Sequence, residues 1–140
     1  MSRKKGIVGV LIAVLLLSGI CIAGDAKEER AVKAADAWLK LVDHGKYRES
    51  WKTAAQYFQD AVTRAQWEQA VIPVRKPLGK VLKRTMKSKE YRTTLPGAPD
   101  GEYVVIQYTT SFENKHTAIE TVTPMLDKDG SWRVSGYYIK

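Results

Sequence analysis

Three charged residues stand in strand-like runs of apolar and hydroxyl-bearing side chains: Arg84, Glu120 and Arg133. A charge that faces inward from such a run must be paired or must await a ligand, because an unpartnered ion is very costly to remove from water. Arg84 or Arg133 could grip a carboxylate or phosphate through two parallel N–H bonds. Glu120 shares strand alternation with Ala118 and Val122. It would pair with Arg84, or with Arg133 on the following strand, or meet a cationic or hydroxylated ligand. Trp38, Tyr108 and Phe112 complete the set of candidate ligand-binding residues. The same residues admit a plainer reading, in which the charges form an internal Arg–Glu pair or a solvated face and the rings are core.

Catalytic signatures are absent. The chain contains no GxGxxG, GxxxxGK[ST], GxSxG or HExxH. Its two histidines, His44 and His116, are far apart, and the only cysteine is Cys21. No catalytic residue, metal site or cofactor is therefore assigned. Asp43-His44 pairs an acid with a base, but it precedes Gly45 at a helix end, where a cationic imidazole complements the helix dipole. All thirteen aromatics follow residue 23. Large rings can line an apolar pocket and more commonly fill a core, while Tyr47, Tyr103, Tyr137 and Tyr138 add hydroxyls able to orient a ligand.

The elements that must position these groups follow from periodicity. Ala31, Ala34, Ala35, Trp38, Leu41 and Val42 recur at helical spacing between Lys27 and His44, and Gly45 ends that helix. A second helix is predicted from Tyr47 to Phe58. A third starts at Thr63, whose spacing to Gln66 suits a capping box, and closes at Pro73 and Pro77. Beyond Gly79 the period becomes two. The first strand runs from Val81 toward Thr94, with Val81, Lys83, Thr85 and Lys87 alternating with Leu82, Arg84, Met86 and Ser88. After a rigid turn from Pro96 to Gly101, strands follow over Glu102–Phe112, Thr117–Leu126 and Ser131–Ile139, the last presenting Trp132, Val134 and Tyr138. Helices followed by a four-stranded antiparallel meander define a single α+β domain, with the helices packed on one face of a curved sheet.

The N-terminus reads as an export signal. Arg3, Lys4 and Lys5 precede an uncharged apolar run from Ile7 to Ile22, and Cys21-Ile22-Ala23 offers small residues for a signal peptidase. Residues 1–23 are thus expected to be removed, and residues 24–140 form the domain. The 140-residue chain carries 23 Lys and Arg against 15 Asp and Glu, a formal charge of +8. The signal holds three of those bases and no acid, so the remaining 117 residues carry +5. The expected location is the periplasm or the exterior, with an inner-membrane anchor, or a lipoprotein acylated at Cys21, as alternatives. Membrane contact would require retention of the N-terminal segment. The basic run Lys76, Lys80, Lys83, Arg84, Lys87, Lys89 and Arg92 has no interleaved aromatics, and export removes it from nucleic acid, so none is expected as a partner. A lysine-guarded edge strand accounts for it better.

The order of elements resembles the NTF2-like (cystatin-like) cone. Trp38-Leu39-x-Leu41-Val42-Asp43-x-Gly45-x-Tyr47, Arg75-x-Pro77-Leu78-Gly79, Pro96-Gly97-x-Pro99-x-Gly101-x-Tyr103 and Trp132-Arg133-Val134-x-Gly136-Tyr137-Tyr138 are similar to the bacterial exported family known as domain of unknown function 4019. That resemblance covers nearly all of residues 24–140 and implies no activity. The cone implies a pocket beneath a helix. The functional expectation is therefore a non-enzymatic envelope module that binds a small molecule or a protein partner in the concave face of its sheet. Two alternatives stand beside it: a hydratase- or isomerase-like enzyme with Asp43 or Glu120 beside a tyrosine, and an assembly protein acting as a homodimer.

Overall fold

The computed structural model describes residues 19–140. The charged start of the expected signal and most of its apolar run lie outside the described residues. Helix α1 spans Gly19–Asp43 and so begins earlier than the Lys27 expected from the sequence, running through the expected junction at Gly24 without interruption. Its end is as predicted. Gly45 adopts φ +71°, its N–H bonds the Val42 carbonyl and that of Lys46 bonds Leu41, a Schellman closure that a residue with a Cβ would resist.

The single helix predicted from Tyr47 to Phe58 is two, α2 (Tyr47–Lys52) and α3 (Gln56–Ala61). Between them the chain becomes extended at Ala55, whose N–H leaves the helical ladder to bond the Val134 carbonyl at 2.8 Å on the last strand. Helix α4 (Arg64–Arg75) opens with the expected capping box, Gln66 N–H on Thr63 Oγ1 at 3.1 Å and Thr63 N–H on Gln66 Oε1 at 2.9 Å. Pro73 does not close it. Lacking an N–H, the proline forfeits one backbone bond, and the helix nevertheless continues to Arg75 before a 3₁₀ turn over Lys76–Leu78.

Strands β1 (Val81–Arg92), β2 (Tyr103–Phe112), β3 (Lys115–Leu126) and β4 (Trp132–Ile139) form one antiparallel sheet in sequence order, confirming the α+β class. Helix α1 contacts all four strands. The core lies between: Trp38, Leu39 and Val42 from α1, Trp67 and Val71 from α4, and Val104, Ile106, Val122 and Val134 from the sheet are all buried.

Bulges change which residues share the covered face. In β1, Leu82 and Lys87 have no partner opposite them, so the residues registered against Phe112, Thr110, Tyr108, Ile106 and Val104 are Val81, Arg84, Met86, Lys89 and Tyr91. In β4, Thr123 pairs with Gly136 while Pro124 pairs with Val134, leaving Ser135 as the extra residue. Simple alternation puts Tyr138 beside Trp132 and Val134. The bulge instead turns Tyr137 toward the core opposite Val122 and leaves Tyr138 half exposed. β1 is an edge strand whose Lys83 and Lys87 are exposed, as expected for a guarded edge, although Arg84 turns away from that run toward the core.

Candidate functional site

Beneath the C-terminal end of α1, six elements contribute one polar side chain each to a buried network. Glu120, wholly buried on β3, accepts Arg84 Nε–H at 2.8 Å and the Thr110 hydroxyl at 2.5 Å on Oε1, and the Tyr137 hydroxyl at 2.5 Å on Oε2. The remaining two nitrogens of Arg84 grip Asp43 bidentately, Nη1 to Oδ2 at 2.7 Å and Nη2 to Oδ1 at 2.9 Å. Asp43 also receives Arg75 Nη2 at 2.9 Å. Arg75 Nη1 reaches back to the Tyr137 oxygen at 3.5 Å, closing the circle, and the guanidinium lies 5.0 Å from the Phe112 ring centroid. Two arginines thus face two carboxylates, and the ring is neutral.

Burial and pairing compete at each charge. Burial alone would raise the Asp43 carboxyl, but the Arg84 and Arg75 guanidiniums outweigh it and hold Asp43 below the usual carboxylate range. Burial likewise disfavours charge on Arg84, and Asp43 and Glu120 overcome it, keeping that guanidinium firmly protonated. Tyr137 is pushed well above an ordinary phenol, first by burial and then by the Glu120 charge, so its hydroxyl stays a donor.

Five of the six candidate residues gather here, around packed side chains instead of a void. Arg84 and Glu120 are ring members. Phe112 is wholly buried under Arg75. Trp38 packs at 5.3 Å from Tyr137 and 5.7 Å from Trp67, with its indole N–H on the Ser50 carbonyl at 2.8 Å. Tyr108 stands opposite Glu120 in register and donates to Asp36 on α1 at 2.9 Å. Arg133 is elsewhere. Its register partner is Met125, and its guanidinium is held at the β3–β4 hairpin by Asp127 at 3.2 Å and Asp129 at 2.7 Å, far along the strand from Glu120. The cross-strand Glu120–Arg133 pairing is thus corrected: Ile139 is the residue opposite Glu120.

From sequence, Asp43 stands out only as a helix-end residue or as the acid of the enzyme alternative, and Arg75 is not singled out. The signal available for Asp43 was its spacing: it follows Trp38, Leu39 and Val42 on one helix face. Arg75 gave less, because a basic residue in the last turn of a helix is ordinarily exposed and dipole-facing.

An open cleft of about 460 Å³ lies beside the ring, lined by Val42, Asp43, Tyr47, Ile72, Arg75, Lys76, Lys80 and Glu113. Gly79 allows its tight wall. With φ +74°, any Cβ there would fall 3.0 Å from Glu113 Cβ, and the neighbouring Lys80 N–H bonds Glu113 Oε1 at 2.7 Å. Among the described residues no group of three or more His, Cys, Asp or Glu is placed to hold a metal ion.

The fold and site together define a two-layer α+β domain whose covered sheet face is closed by its own aromatics and a neutral ion-pair ring. The chain belongs to the family described as protein of unknown function DUF4019, whose sequence model matches residues 34–137. That span includes every member of the ring. No curated protein and no solved structure matches the chain.

Proposed function

We propose that the protein is an exported, non-catalytic module of the cell envelope that binds a small molecule, and that the binding place is the cleft beside the ring. One observation carries this reading: of the acids placed for proton transfer, Asp43 is occupied by two guanidiniums and Glu120 by a guanidinium and two hydroxyls, while the neighbouring cleft stands open at a volume suited to a small ligand. A general base needs a free lone pair aimed at substrate. Asp43 instead ties α1 to α4 and β1, and Glu120 ties β3 to the other three strands. The centre of the covered face is filled by Trp38, Trp67 and Tyr137, so binding shifts from there to the rim.

Export rests on the basic start and apolar run of residues 3–22. The binding reading is tested by following the thermal midpoint of residues 24–140 across a panel of neutral, cationic and anionic small molecules. Saturable stabilisation by at least one class is expected, since a ligand that binds only the folded state must raise its stability. A flat response to the whole panel would defeat it.

A further inference from the structure

Resting on that reading, we infer that the cleft selects an organic oxyanion, a carboxylate or phosphate carried on a small apolar body, through the unused donor of Arg75 flanked by Lys76 and Lys80.

Arg75, a lining residue of the cleft, is only 4% exposed, and its Nε is sealed from solvent with no hydrogen-bond partner, so an oxygen reaches it only when the side chain shifts toward the cleft. Its other two nitrogens are committed to Asp43 and Tyr137. Leaving a guanidinium donor buried without an acceptor costs stability, which an arriving oxygen would restore. Lys76 and Lys80 line the same cleft and make no ion pair among the described residues. Of the lining's acids Asp43 is fully paired, and Glu113 is one carboxylate against the two lysines. Both oxygens of Asp43 accept from arginines, and Glu113 accepts the Lys80 backbone N–H.

What the cleft presents to a newcomer is therefore a surplus of donors, a preference for oxygen acceptors bearing negative charge. Val42, Ile72 and the Tyr47 ring supply apolar wall, which a bare inorganic ion would not use.

The probes are benzoate, its neutral isostere benzamide, phenyl phosphate and inorganic phosphate, titrated into ¹⁵N-labelled residues 24–140. The readout is the Arg75 Nε–H resonance and the backbone amides of Gly79 and Lys80. Benzoate or phenyl phosphate should shift these signals saturably, benzamide should not, and inorganic phosphate should bind more weakly than phenyl phosphate. Whichever aryl anion binds more tightly distinguishes a carboxylate source from a phosphate source. Lys76→Ala combined with Lys80→Ala, at exposed positions outside the ring, should weaken binding by about tenfold with the thermal midpoint unchanged. Equal binding of benzamide and benzoate would overturn the anion inference while leaving a binding module. Saturable shifts confined to residues outside the cleft would overturn the placement. Silence from these probes, coupled with stabilisation by a neutral or cationic compound, would overturn the ligand class alone.

Discussion

At the scale of single residues, the weight of the molecule falls on Glu120. It is wholly buried, and its three donors come from β1, β2 and β4. Glu120→Gln keeps the shape but brings an N–H₂ to a place built for an acceptor and leaves two arginines sharing the single carboxylate of Asp43. Breaking a buried pair in this way should lower stability by about 3–5 kcal/mol, readable as a drop in urea midpoint. A loss below about 1 kcal/mol would show that the ring is not holding the fold. Asp43 sets the pH response. Its carboxyl is depressed in the folded state, so its stabilisation is present above the ordinary carboxylate range and is lost as pH falls through the lower folded value. Wild type should weaken on acidification below about pH 4, the ordinary range of an unpaired aspartate. Asp43→Asn should be weaker at neutral pH but show a shallower acid limb. Some slope should persist, because Lys27 holds Glu102 low and Arg133 holds Asp129 low. An acid limb as steep in Asp43→Asn as in wild type would remove Asp43 from this account.

At the scale of elements, the bulge in β4 decides whether the ring can close. Ser135 and Gly136 together oppose Thr123, and by absorbing the extra residue the bulge keeps Tyr137, not Tyr138, on the covered face. Deleting Ser135 regularises the pairing and keeps Tyr137 inward, with loss of only the Ser135 hydroxyl bond to the Thr123 carbonyl. Inserting one alanine after Gly136 reverses the phase, turning Tyr137 to solvent and Tyr138 onto Glu120. The insertion should therefore destabilise far more than the deletion, as compared by thermal midpoint; the opposite ranking would refute the phase argument. The same bulges mark where the sequence stopped being legible. Helical and alternating periods locate the end of α1, α4 and all four strands to within a few residues, though not the start of α1, and the Thr63–Gln66 cap and Gly45 closure stand as read. Periodicity carries no information about an added residue, so alternation misplaced Tyr138, and it grouped Lys83 with Val81 on one face. Arg84 and Glu120 were legible as charges requiring partners. The other two charges of the ring, Asp43 and Arg75, were not: a cation in the last turn of a helix is unremarkable, and Asp43, an acid set against the helix dipole, stood beside His44, which suits that place.

At the scale of the whole molecule, the open question is where the chain works. No helix among the described residues is long and apolar enough to cross a membrane. α1 runs back to Gly19, so the backbone around the expected junction at Gly24 is helical in the intact chain. Intact-mass measurement on the chain recovered from its host's envelope fraction is expected to give a protein starting near Gly24. Recovery of the full 140 residues would mean an anchor, and an added diacylglyceryl mass at Cys21 would mean a lipoprotein. Processing there leaves the ring untouched, since its first member is Asp43 on the far turn of α1.

The ring also orders events in time. Its members enter the chain as Asp43, Arg75, Arg84, Thr110, Glu120 and Tyr137, so a polypeptide emerging N-terminus first presents an acid and two cations long before the second acid. Until β3 arrives, the two arginines share the single carboxylate of Asp43, and until β4 arrives Glu120 Oε2 lacks the Tyr137 hydroxyl. The ring closes, and Ala55 finds the Val134 carbonyl, only when the last strand to emerge is seated.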